Sequence, residues 1–212
     1  TYFARNNTSC GSGTSGVTTY NSVANTCTGG SERVFDTMRK CLSFVGAAVG
    51  AGANITCSVR AGTYSEVLVN SWPSGTSVAA QFVLQNYPGE TVTMAPPPGS
   101  GGCFFIGANG TANQAGISFI TVDGINCACN IDGGTTNCIN SAATIGSNGL
   151  NNNITLKNLE IKDAYLNGIL MGGSFNSMIN LKIHDVGIIA NNHAHGLYIA
   201  GTDSLIERVE VY

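Results

Sequence analysis

Charge is what this sequence has least of. Only 10% of its 212 residues are Asp, Glu, Lys or Arg, against roughly 25% in an ordinary globular domain. The nine basic residues are scattered. No Lys/Arg cluster exists to neutralise a run of phosphates, so nucleic acid is not an expected partner. No apolar run approaches the roughly 18–20 residues that cross a bilayer, and no membrane span is expected. There is no initiator Met and no signal peptide; Thr1-Tyr2-Phe3 leads straight into a strand-like start, as expected of a processed N-terminus. Scarce charge does not mean disorder here, because 43% of the residues are hydrophobic and can offset the entropy of ordering.

What the chain does have is glycine, small polar residues and cysteine. Turn-forming residues occur in every region, which suits a fold of many short strands and few helices. The eight cysteines are Cys10, Cys27, Cys41, Cys57, Cys103, Cys127, Cys129 and Cys138. An even count in a charge-poor chain points to four disulfides and an oxidising compartment, hence a secreted, extracellular or cell-surface protein. Sequence does not give the connectivity; the neighbours Cys10/Cys27 and Cys41/Cys57 are candidate pairs. A metal site on Cys127-Ala-Cys129 with Cys138 is disfavoured, because structural zinc sites prefer paired cysteines with two to four residues between them, and here there is one.

Two segments are expected. Residues 1–54 hold a short strand, a polar loop pinned by two cysteines, and a helix. Over 31–45 apolar residues fall at 34, 35, 38, 41, 42 and 45, the period of an amphipathic helix, with Ser31 as its cap and Glu32 favouring its N-terminal dipole. Residues 55–212 carry short β-rich runs at 55–60, 66–70, 81–86, 90–94, 103–107, 117–125, 142–145, 154–161, 168–171, 178–183, 196–199 and 205–211, with no alternating helices.

These runs repeat. Asn158-Leu-Glu-Ile-Lys-Asp163 matches Asn180-Leu-Lys-Ile-His-Asp185 at an offset of 22 residues, and Arg208-Val-Glu-Val-Tyr212 follows 28 residues on. Asn167-Gly-Ile-Leu-Met171 matches His195-Gly-Leu-Tyr-Ile199, also at 28, and Gly124-Ile-Asn-Cys127 precedes the series by 34. Such a repeat, with two or three short strands per unit, marks an all-β parallel solenoid, disulfide-stabilised and capped at its N-terminal end by the amphipathic helix. Equivalent residues then stack about 4.8 Å apart. Leu159, Leu181 and Val209 form one inward column, Ile161, Ile183 and Val211 the next, and Glu160, Lys182 and Glu210 an outward ladder of alternating charge. The chain ends at Tyr212 within a strand pattern. Either more coils follow, or the open C-terminal coil stacks on another chain, a head-to-tail, filament-forming self-association.

The segment Cys57-Ser-Val-Arg-Ala-Gly-Thr-Tyr-Ser-Glu66 resembles the opening strand of the pectate-lyase-like right-handed parallel β-helix proteins. Tyr87-Pro-Gly-Glu-Thr-Val92, Phe119-Ile-Thr-Val-Asp-Gly124, Ile183-His-Asp185 and His195-Gly-Leu-Tyr-Ile199 fit the same pattern. The resemblance covers nearly the whole chain and implies a right-handed parallel β-helix. For function it implies polysaccharide as the partner, with lyase chemistry on acidic glycans if the chain is an enzyme. The superfamily also holds structural modules, and fold does not settle function.

Several residues are candidates for chemistry. β-Elimination from a uronate needs a base, commonly Lys or Arg in these folds, and a cation for the carboxylate. Lys182, His184 and His195 are the catalytic candidates. Lys162, Tyr165 and Tyr198 are the substrate-binding candidates. Asp163 and Asp185, at the ends of equivalent strands, are candidates to share Ca²⁺, the one cofactor the sequence suggests. Each has a plainer reading: Lys182 as a solvated rung of the charge ladder, the aspartates as turn residues, the tyrosines as cover for strand edges. The histidines (His184, His193 and His195) form either a metal or acid/base cluster, or a solvated turn. The competing function is a non-catalytic extracellular fibre, surface or adhesion subunit, which the low charge and open terminal coil suit.

Overall fold

In the computed structural model, the residues described are 1–6, 15–48, 54–69, 72–107, 116–129, 131–132, 135–136, 138, 141–146, 151–187 and 194–212. Among the described residues the protein is mostly β, with parallel sheets and one short helix. The N-terminal strands are β1 (Tyr2–Ala4), β2 (Val17–Tyr20) and β3 (Glu32–Phe35), followed by α1 (Met38–Ala48). Then come β4 (Ile55–Val59), β5 (Gly62–Tyr64), β6 (Leu68–Val69), β7 (Phe82–Asn86), β8 (Val92–Met94), β9 (Phe104–Ile106), β10 (Ser118–Asp123) and β11 (Ile125–Ala128). A small hairpin, β12 (Ile131–Asp132) with β13 (Thr135–Thr136), precedes β14 (Ala143–Ile145). The chain continues with β15 (Asn152–Lys162), β16 (Ile169–Met171), β17 (Ser177–His184), β18 (Leu197–Ile199) and β19 (Leu205–Val211).

Each pass of the chain lays its strands beside those of the pass before. One row runs β1-β4-β7-β10 and continues through the first half of β15, all parallel. A second runs β5-β8-β11 and continues through the second half of β15. Strands β17 and β19 extend both rows. The separate second sheet runs β6-β9-β14-β16-β18, also parallel. The expected register holds: Leu159 pairs with Leu181 and Leu181 with Val209, Ile161 with Ile183 and Ile183 with Val211, and Ile169 with Leu197.

The side chains between the sheets form one core, in which Ile120, Ile154, Leu156, Ile161, Ile169 and Ile183 are fully buried. Each such aliphatic rung contributes about 1.5–3 kcal/mol. Buried amides are satisfied: Asn151 accepts from the Ile117 N–H and donates to the Gly107 carbonyl, and Asn176 does the same for Ile154 and Gly172.

The bends are set by left-handed residues in register. Gly124, Asn158, Asn180 and Arg208 have φ of 67°, 57°, 54° and 51° and turn the chain between the first two rows. Asn158 donates to the Asp123 carboxylate at 2.7 Å and Asn180 donates to Asn158 at 2.8 Å, so the corner carries its own hydrogen-bond ladder. A second corner holds Phe119, Asn153, Phe175 and Asp203 in the same conformation, which costs a residue with a bulky side chain roughly 1–2 kcal/mol.

The helix begins later than its periodicity predicts. Residues 32–35 form β3, which pairs in parallel with β1, because β1 has an open edge whose backbone groups need partners. Ser31 and Glu32 therefore do not cap the helix. Thr37 Oγ1 accepts from the Lys40 N–H, and the Glu66 carboxylate accepts from the Met38 and Arg39 N–H groups at 2.9 and 3.0 Å. Met38, Cys41, Leu42 and Val45 form the buried face, and the helix packs against β1, β3 and β4.

Three disulfides join described residues: Cys41–Cys57, Cys103–Cys127 and Cys129–Cys138. Cys27 is also disulfide-bonded. Cys10, its candidate partner from sequence, lies outside the described residues.

Candidate functional site

Alternation along β15 and β17 sends Leu159, Ile161, Leu181 and Ile183 inward and Glu160, Lys162, Lys182 and His184 outward. Parallel pairing then sets Glu160 beside Lys182 and Lys182 beside Glu210, while Lys162 lies beside His184. The charge ladder thus has the expected register but not the expected contacts. Among the described residues Lys182 makes no ion pair. Glu160 instead turns to His184, with Oε1 at 3.1 Å from Nε2.

His184 is the centre of this group. Its Nδ1 lies 2.7 Å from Asp185 Oδ2, so both ring nitrogens face carboxylates. A carboxylate can only accept, so both contacts are satisfied together when the ring is the doubly protonated imidazolium. The Asp185 hydrogen bond accordingly raises the His184 pKa; burial opposes this and Glu160 adds to it. The His184 ring also stacks on Tyr212, with centroids 5.1 Å apart and the ring planes nearly parallel. Stability from the bridge is therefore full below the unfolded pKa of about 6.5 and is lost as pH rises through the raised folded value. In an NMR titration His184 should titrate above about 6.5, and Asp185→Asn should bring it down toward that figure. A value that does not move in the variant contradicts the bridge.

Beside this group lies an open cleft of about 290 Å³, lined by Asn126, Asn158, Leu159, Glu160, Asn180 and Lys182. Its floor is the corner ladder of amides, and Asn126 accepts from the Glu160 N–H at 2.9 Å. The cleft thus offers amide groups, one carboxylate and one unpaired ammonium.

The remaining candidates are distributed elsewhere. His195 precedes β18 of the second sheet, with its ring 5.4 Å from Tyr198. The structure therefore brings Lys182 and His184 together on one wall and places His195 with Tyr198 on another. His193 lies outside the described residues. Tyr165 is half-buried, and its N–H donates to the Cys138 carbonyl. Asp163 and Asp185 both adopt left-handed conformations at strand ends, as turn residues do. Asp185 is engaged with His184, and among the described residues no third His, Cys, Asp or Glu ligand atom gathers with the two aspartates.

The sulfur atoms of Cys103, Cys127, Cys129 and Cys138 do gather, all within 4.8 Å of one another and fully buried. They are paired as two disulfides, so none is a thiolate available to a metal. Sequence reading missed two parts of the site: the Glu160–His184 contact and the Tyr212 stack. The 28-residue offset that carries His184 onto Tyr212 was a signal for the second. No family model, no curated protein and no solved structure matches this chain.

Proposed function

We propose that the chain is a secreted or cell-surface right-handed parallel β-helix of the pectate-lyase-like kind, and that it binds acidic polysaccharide on the outward wall of β15, β17 and β19. The helical reading is supported by the recurrence of parallel pairing at offsets of 22 and 28 residues, in rows joined by left-handed corners.

One observation carries the binding reading. The exposed Lys182 ammonium, unpaired among the described residues, borders a cleft of amide groups and sits two residues from a histidine whose two ring nitrogens face carboxylates. A uronate carboxylate pairs with Lys182, and its hydroxyls bond to Asn126, Asn158 and Asn180. The exposed ring of Tyr212 gives a sugar a flat apolar face. Were the chain a lyase, elimination would pass the proton beside the uronate carboxylate to a base, with Lys182 the candidate, form the ring double bond and break the glycosidic C–O bond, the leaving oxygen taking a proton from solvent. His184, locked between Glu160 and Asp185, positions charge and is not the base.

Calorimetric titration with oligomers of polygalacturonate and alginate, with and without Ca²⁺, tests this. The protein should bind acidic oligomers over neutral ones. Lys182→Ala should weaken binding roughly tenfold, equal to about 1.4 kcal/mol, while its thermal midpoint stays near that of the parent. Release of unsaturated products, followed by ultraviolet absorbance, separates a lyase from a binder. No binding by the parent protein, or equal affinity for neutral glycans, overturns the reading and favours the non-catalytic structural one.

A further inference from the structure

The geometry points to a second sugar subsite, which we assign to Phe175, at the opposite end of β17 from His184. The assignment rests on the polysaccharide reading above and adds a residue and a contact to it.

Phe175 occupies the corner shared by Phe119, Asn153 and Asp203. The four are brought into register by the pairing of Ser118 with Asn152 and by the bridges from Asn152 to Ser174 and from Ser174 to Thr202. All four have φ between 53° and 57°. Asn and Asp tolerate that conformation, because a short polar side chain bonds locally; a phenylalanine there is strained. Strain of this kind persists when something else offsets it, usually packing or function. Packing partly accounts for Phe119, which is half-buried. It does not account for Phe175, which is 60% exposed even though Asn153 and Asp203 flank it on the neighbouring passes. Among the described residues the other exposed large apolar side chains away from the C-terminal segment, Val23, Val78 and Tyr198, have no such backbone conformation.

The immediate neighbours of Phe175 along the chain and on the next pass are polar, while the exposed Leu205 and Ile206 follow further along that pass. Ser174 Oγ and Thr202 Oγ1 form an exposed hydroxyl pair 3.0 Å apart, and Asn152 Oδ1 accepts from the Ser174 N–H at 3.1 Å. Asp203 adds a carboxylate on the next pass. A flat apolar ring with hydroxyl, amide and carboxylate groups on adjoining residues suits a pyranose: the C–H face lies on the ring and hydroxyls meet the polar groups.

The test uses Phe175→Asn, which installs the residue that the equivalent position 153 already holds, and Phe175→Trp, which keeps a ring. Affinity for the acidic oligomers is measured by calorimetry beside the thermal midpoint. Phe175→Asn should bind roughly tenfold more weakly and unfold at an equal or higher temperature, because the strain is relieved. Phe175→Trp should bind at least as well as the parent. Unchanged affinity in Phe175→Asn overturns the subsite, and so does a lowered midpoint, which would give the ring a structural role. Lys182→Ala is the control. If that variant weakens binding and Phe175→Asn does not, the subsite fails while the polysaccharide reading stands. If the parent binds no polysaccharide, both fail.

Discussion

Replacing Glu90 with Gln should lower folding stability by roughly 3 kcal/mol at neutral pH, the largest loss expected from any single uncharged substitution on the polar frame of the fold. Arg60 is only 6% exposed. Its Nε lies 3.0 and 2.9 Å from the two Glu90 oxygens, and its Nη2 completes a bidentate pair. Its Nη1 donates to the Tyr20 hydroxyl and to the Ser22 carbonyl, and the guanidinium lies 4.0 Å from the Tyr87 ring centroid. Glu90 also accepts from the Ala61 N–H at 2.6 Å. One guanidinium thus ties the β2 end of the N-terminal segment to the loop before β8. Glutamine keeps the size but removes the counter-charge, leaving a buried cation with neutral acceptors and the Tyr87 ring but no anion among the described residues.

The pH dependence identifies the cause. The Arg60 hydrogen bond holds the Glu90 carboxyl below the ordinary carboxylate range, against the opposing effect of burial. A depressed folded pKa contributes stability that is full above the unfolded value near 4.3 and is lost as pH falls through the folded one. Denaturant titrations of parent and Glu90→Gln should therefore differ by roughly 3 kcal/mol at neutral pH and converge in strong acid. At this chain length the neutral-pH loss lowers the midpoint by about 6–12 °C. A difference that persists undiminished in acid contradicts the ion-pair explanation.

Removing the Cys103–Cys127 bridge as a double alanine variant should cost roughly 3–4 kcal/mol. Cys103 adjoins β9 of the second sheet and Cys127 lies in β11 of the first, so the bond joins the two walls through the core, across a sequence separation of 24 residues. The Cys129–Cys138 bridge closes a separation of only 9 and should cost less, roughly 2.5 kcal/mol, because a shorter loop constrains the unfolded chain less. Paired removal is necessary, because Cys127 Sγ lies 3.6 Å from Cys129 Sγ. A lone Cys127 thiol would be placed to exchange with the neighbouring bond. Denaturation midpoints of the two double variants check the order; a larger loss from Cys129 and Cys138 would contradict it.

Much of the strand architecture was legible in the sequence. The matched motifs at 158, 180 and 208 have the offsets by which β15, β17 and β19 pair, because stacked strands repeat the same inward and outward demands at each position. The helix was legible only in part. Val34 and Phe35 fit a helical period together with Met38, but β1 offers a backbone edge, and those residues pair with it instead. The site was less legible still. Sequence places Lys182 between Glu160 and Glu210 and correctly so, yet has no way to tell that Glu160 reaches His184 instead.

The sequence by itself therefore determined most strand positions beyond residue 54, the register of the later passes and the facing of alternate side chains, since each follows from residue types at short, repeated spacings. Only the tertiary structure decided which partner each polar group takes. Glu66 caps a helix whose first residue lies 28 positions earlier, four sulfurs meet from two sheets, and His184 sits between two carboxylates instead of beside His195. The physical reason is the same in each case. A hydrogen bond or disulfide is set by distance and angle between atoms that separate passes of the chain bring together, and no local spacing encodes that geometry.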